Sequence, residues 1–208
     1  MMEFLRHRSG YLVIAALTLL AQSCMQPTAV IDKPIERTIS PIQTYSYSRD
    51  IKPVLERKCI ACHGCYDAPC QLKLTSPQGL LRGATDKPVY DSARLSDMAP
   101  TRLFVDAETT ARWREMGFYP VLNEQGGPLQ NNLEASLLYN MIRLGREQPL
   151  PPHSAVPEDI ELGLGRKNDC PLPAEFDTYA QKKPLQGMPL AITGLSDSEY
   201  GTLQQWIR

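Results

Sequence analysis

The sequence predicts a mainly α-helical protein with long irregular connections and little β-sheet. Three observations carry this. Apolar residues recur at helical spacing in short windows, as in Ile51, Val54 and Leu55, or Leu133, Leu137, Leu138 and Met141. Start signals of the S-x-x-E kind stand before such windows, as at Ser196 and Glu199. Eighteen prolines in 208 residues break the rest, because proline lacks the N–H that helix interiors and central strands require. With 42% hydrophobic and 22% charged residues the composition is that of a globular protein, and 22 basic against 23 acidic side chains leave a net charge of -1. No basic surplus exists to neutralise a phosphate backbone, so nucleic acid is excluded as a partner.

In chain order, residues 1–23 read as a secretory signal peptide. Arg6 and Arg8 precede the apolar run from Tyr11 to Leu20, and Ala21-Gln22-Ser23 offers a small-x-small cleavage site. The run is about ten residues, well short of the roughly 20 that span a bilayer. Cys24 follows the site and could carry lipid, although Gln22 fits a lipobox poorly. Residues 24–47, with Pro27, Pro34 and Pro41, show neither helical nor strand period and read as a linker. A helix starting at Ser48 or Asp50 is then expected to about residue 58, with Pro53 tolerated in the first turn.

That helix delivers the chain to Cys59-Ile60-Ala61-Cys62-His63. In C-x-x-C-H two thiols add across the vinyl groups of haem while the adjacent imidazole reaches the iron, so the spacing points to haem c. Cys59 and Cys62 are the expected attachment sites and His63 the expected iron ligand. A thioredoxin-like pair would need a strand before the motif, where a helical pattern stands instead. An iron–sulfur or zinc site is the other alternative, since Cys59, Cys62, Cys65 and Cys70 approximate a ferredoxin run, with the last spacing one residue too long and Pro69 before the final cysteine. With haem, the simplest partner for Cys65 in an oxidising compartment is Cys70 through a short loop. That leaves Cys170 odd unless it pairs with one of them.

Beyond the motif, a loop-rich insertion is expected at about residues 71–170. Within it Asp106 is expected to cap a helix through Trp113 to Met116, closed by Gly117. Asn131 or Asn132 is expected to cap one bearing the Leu133 to Met141 stripe, closed by Gly145. Trp113, Phe118 and Tyr119 are candidates for an apolar pocket, against the commoner role of aromatics as core. No phosphate-binding glycine motif or hydrolytic triad is present. The terminal helix begins at the capping box, with Leu195 and Tyr200 as staple, and its face of Tyr200, Leu203 and Ile207 can pack across the helix before Cys59.

A helix before C-x-x-C-H, a Gly187-Met188-Pro189 loop and a terminal aromatic helix resemble the class I cytochrome c fold, here as one domain over residues 48–208. The resemblance puts Met188 on the iron opposite His63. Met98 and then His153 are the next candidates.

The stretch from Tyr47-Ser48-Arg49-Asp50 through the cysteine block to Gln71-Leu72-Lys73, with Pro77 to Ala84 and Leu137-Leu138-Tyr139, resembles bacterial fatty acid cis/trans isomerase. The resemblance implies a periplasmic haem-c enzyme that converts cis-unsaturated acyl chains of membrane lipids to trans, stiffening the membrane under solvent or heat stress. Its partners would be phospholipid acyl chains or free fatty acids at a membrane surface. Members of that family are longer, so this chain is expected to be the haem-bearing amino-terminal part, with little isomerisation alone. A periplasmic electron-transfer cytochrome c with a redox partner is the alternative.

Overall fold

The structure, a computed structural model, describes residues 44–64, 68–87, 101–158, 160 and 170–208. The signal peptide, nearly all of the linker, Cys24, Cys65 and Met98 lie outside the described residues. Among those described there are eight α-helices, and the only β contacts are isolated bridges such as Ala84 with Tyr119. The mainly α expectation therefore holds, and all described residues fall in one unit, Gln43–Arg208.

A single wide turn, Tyr47–Ile51, opens the unit and runs into α1, Lys52–Lys58. The Asp50 carboxylate accepts the Ser46 N–H at 2.7 Å, and Pro53 sits in the first turn of α1, where no intrahelical acceptor is lost. The helix expected here starts at Tyr47, and its predicted face is buried, with Ile51 and Leu55 fully so. Each such side chain stabilises the fold by about 1.5–3 kcal/mol. Next come α2, Ile60–His63, and α3, Pro77–Arg82, capped by the Ser76 hydroxyl, which accepts the Gly79 N–H at 3.2 Å.

Two predicted caps are corrected. Helix α4, Thr110–Glu115, is capped by Thr109, whose hydroxyl accepts the Arg112 N–H, and not by Asp106. Asp106 is already occupied one turn earlier, by the Arg102 N–H at 2.6 Å and the Arg102 guanidinium at 2.8 Å. The single helix expected from Asn131 or Asn132 is two helices, α5, Leu129–Glu134, and α6, Leu137–Glu147. They are separated because Ser136 turns its hydroxyl to the Tyr139 N–H and so starts a new helix, and the same hydroxyl donates to the Val121 carbonyl. Gly145 does not close α6, which continues to Glu147.

Helix α7, Phe176–Lys182, precedes the terminal helix α8, Asp197–Ile207. The capping box of α8 is complete: the Glu199 N–H donates to Ser196 Oγ at 3.2 Å and the Ser196 N–H donates to Glu199 Oε2 at 2.9 Å. As expected, α8 packs on the wide turn and α1. Leu203 is fully buried in the cluster that holds Ile51 and Leu55, the Tyr47 and Trp206 rings lie 6.1 Å apart, and Arg57 pairs with Glu199. α6 completes the core with Leu137, Leu138, Met141, Ile142 and Leu144. A disulfide joins Cys70 to Cys170. Of the pairings left open by the sequence, the structure shows the one in which Cys170 joins Cys70, and not the short Cys65–Cys70 loop.

Candidate functional site

Cys59 ends α1 with φ −130 and ψ −39, and this break sets the motif on the separate turn of α2. The Cys59 N–H donates to the Leu55 carbonyl and the His63 N–H to the Cys59 carbonyl, so the motif is tied at both ends by backbone bonds. Cys59 and Cys62 are free thiols, Cys59 half-buried and Cys62 exposed. Burial first, then the neighbouring Cys62 and Glu199, push the Cys59 thiol up to about 11. At neutral pH it is protonated, the reverse of the low-pKa nucleophile that thiol–disulfide catalysis needs.

His63 is 8% exposed. Its Nδ1 lies 3.2 Å from the Leu72 carbonyl oxygen, and the Leu74 N–H donates to the His63 carbonyl at 2.9 Å. A carbonyl can only accept, so Nδ1 carries the proton in this pair and the lone pair resides on Nε2. A metal-binding imidazole is commonly oriented in this way, by one ring nitrogen donating to a carbonyl.

His63, Cys59, Cys62 and Met188 all line one cavity of about 750 Å³. The volume falls within the roughly 300–1,000 Å³ typical of cofactor and ligand sites. Most of its wall is apolar: Leu72 and Leu74 beyond the motif, Val121, then Leu137, Leu138, Met141 and Ile142 of α6, and Pro189, Leu190 and Ile192 after Met188. The disulfide cysteines Cys70 and Cys170 also line it.

The loop that presents Met188 is held by backbone. The Met188 N–H donates to the Met141 carbonyl at 2.9 Å. A Cβ on Gly145 would run into the Met188 carbonyl, and one on Gly187 into the backbone of Gly145, so both glycines permit the loop to lie against α6. This contact is why a glycine stands inside that helix.

Of the aromatic candidates only Tyr119 lines the cavity. Its phenol is raised by burial, with Asp86 and Glu175 adding to the effect, and its buried hydroxyl has no hydrogen-bond partner among the described residues. Trp113 and Phe118 form a separate cluster with Ala107, edge to face at 5.3 Å, beneath the Arg82 guanidinium. For these two rings the commoner role holds: both are consumed as core. His153 is exposed, at φ +59, and is not among the lining residues.

Lys183 lines the cavity without having been anticipated, and Met141 lines it as a thioether that was not among the candidate iron ligands. Met141 was visible only as a member of the α6 stripe, and Lys183 carried no local signal. Among the described residues no group of three or more His, Cys, Asp or Glu is placed to hold a metal ion. With Cys70 in a disulfide, the iron–sulfur run loses its fourth ligand. The groups able to hold a cofactor are thus two thiols, an imidazole and one or two thioethers.

A family model described as fatty acid cis/trans isomerase (CTI) matches residues 98–208, which include α4 to α8 and Met188 but not the Cys59 to His63 motif. No curated protein and no solved structure matches the chain.

Proposed function

The chain belongs to the fatty acid cis/trans isomerase family, and from that premise we propose that it takes part in haem-c-dependent cis-to-trans isomerisation of unsaturated acyl chains, in the periplasm, as the haem-bearing part of the catalyst. In this reading Cys59 and Cys62 would hold haem through thioethers, and His63 and the Met188 sulfur would bind its iron. The observation that carries it is the pairing of His63 Nδ1 with the Leu72 carbonyl on a largely apolar cavity that Met188 also lines. A cytochrome c-like arrangement is supported by the packing of α8 on the helix that leads into the motif.

Rotation about a C=C bond requires temporary loss of its π character. Bound haem iron supplies the means to draw electron density from the bond and return it. The chain's own residues hold and orient. Leu72 fixes the imidazole tautomer, the leucines of α6 exclude water, and the backbone bond from Met188 to Met141 sets where the thioether stands. Substrates would be phospholipid acyl chains at the membrane surface or free fatty acids, whose apolar bodies suit such a wall.

A second reading, a periplasmic electron-transfer cytochrome with a redox partner, is favoured by one observation: the Gly145 to Gly187 contact restrains Met188, and a fixed sixth ligand suits electron transfer. The two readings are separated by the optical spectrum of the full chain matured with haem-attachment machinery, recorded with cis-unsaturated fatty acid and followed by chromatography for trans product. A Soret band whose sixth ligand is displaced by the cis acid supports isomerisation. An unresponsive six-coordinate spectrum without trans product supports electron transfer, and absence of covalent haem overturns both.

A further inference from the structure

We infer that the turn at residues 102–106 is a membrane-docking tip, with Phe104 and Val105 entering the acyl layer of a lipid bilayer. This rests on the proposed function and deepens it by naming the element that brings the chain to its lipid.

Phe104 and Val105 are the two most exposed large apolar side chains among the described residues, at 66% and 63%. Water disfavours such exposure, yet the local structure enforces it. The Arg102 N–H donates to Asp106 Oδ2 at 2.6 Å, and the Arg102 guanidinium donates to Asp106 Oδ1 at 2.8 Å. The Arg102 carbonyl accepts the Asp106 N–H at 3.1 Å and the Val105 N–H at 3.3 Å. Both roots of the turn are anchored. Leu103 bridges to Ala107 and packs with it on Trp113 and Phe118, and the Arg82 guanidinium donates to the Thr101 carbonyl at 3.1 Å. Phe104 itself stands at φ +69, in the left-handed region that a bulky residue enters only at a cost in free energy. A conformation of that kind persists where its surroundings fix it, and here they fix a phenylalanine ring in solvent.

Size and charge select the occupant. Two side chains on one turn offer far less than the roughly 1,200 Å² that a stable protein interface buries. A bilayer needs no complementary surface, and it takes up apolar side chains in proportion to the area they remove from water. Residues 102–116 carry three basic and three acidic side chains, so this stretch has no net charge with which to select anionic lipid. The attraction is hydrophobic, and phosphatidylcholine alone suffices as the partner.

The test uses the full chain and phosphatidylcholine vesicles, with no haem required. Phe104→Trp is mixed with vesicles of ordinary or brominated lipid, and the unsubstituted chain supplies the background of Trp113 and Trp206. Docking predicts bromine quenching of Phe104→Trp beyond that background. Phe104→Asn with Val105→Ser, in which asparagine tolerates the left-handed backbone, is expected to lower co-sedimentation with vesicles about tenfold at an unchanged thermal melt. Should the double variant fail to fold, Val105→Ser alone keeps the measurement decisive. Absence of extra quenching, or an undiminished partition of the variant, overturns the inference. A lower mass by light scattering in the variant, without quenching in Phe104→Trp, makes the tip a contact between copies and also overturns it. Haem content and trans product are scored on the same samples. Quenching in a chain without haem overturns the proposed function alone, and isomerisation without quenching overturns the tip alone.

Discussion

His63 shows how one hydrogen bond decides what a side chain can do. With Nδ1 committed to the Leu72 carbonyl, the imidazole presents Nε2 as its basic atom, and the neighbouring thiols Cys59 and Cys62 stand on the same turn. Replacement of both thiols by alanine is expected to abolish covalent haem, checked by the haem stain of denatured protein. His63→Ala should instead alter the iron spectrum while attachment persists. Met188→Ala is expected to remove the thioether signature and lower the reduction potential, because a thioether favours ferrous iron. The same loss in Met141→Ala, and not in Met188→Ala, would move the ligand to α6. The motif residues were legible as a group because they stand at fixed local spacing, and the structure places all three on one cavity. Met141 was not, since a methionine in a helical stripe reads as core filling, and Lys183 reaches the cavity only through the turn at residues 183–186.

At the scale of an element, Gly145 is the informative position. Glycine within a helix ordinarily costs about 0.5–1 kcal/mol relative to alanine, so Gly145→Ala would be expected to stabilise α6. Here the sign reverses, because the new methyl meets the Met188 carbonyl. Gly145→Ala is therefore expected to leave helix content unchanged and to displace the Met188 loop, seen as a changed thioether band and potential.

The cap of α8 yields a pH dependence. Hydrogen bonds from the Ser196 backbone, followed by Arg57 and the Ser196 hydroxyl, hold the Glu199 carboxyl below its ordinary range. Near the ordinary glutamate value, about 4.3, the unfolded chain binds more protons at this residue than the folded one. Stability from Glu199 is accordingly present above that value and is lost as pH falls through the lower, folded value. Because its partner Arg57 is largely exposed, the slope should be modest. Thermal melts across that window should show it, and Glu199→Gln should flatten it. Helix α8 could be read from its stripe and its cap, and α1 and α6 from their stripes alone, whereas α3 and α7 each bury a single large apolar side chain, Leu80 and Phe176, and so show no stripe.

The whole molecule is closed by the Cys70–Cys170 bond, which spans 100 positions and encircles α3 to α6. Loops of about that length are expected to restrict the unfolded chain strongly, and removal of such a bond costs about 2–5 kcal/mol. Cys70→Ser with Cys170→Ser is expected to lower the denaturant midpoint accordingly, and to loosen the wall that both residues supply. Sequence could not choose this pairing, because spacing along the chain favoured Cys65, and proximity of Cys170 is a product of tertiary folding.

The burial that keeps the Cys59 thiol protonated has a consequence for biogenesis. Four cysteine sulfurs share one cavity, two joined to each other and two free. Disulfide exchange runs through the thiolate, so a Cys59 pushed to about 11 is a slow trespasser on the Cys70–Cys170 bond. While the chain matures, the pair that is joined is thereby shielded from exchange through Cys59.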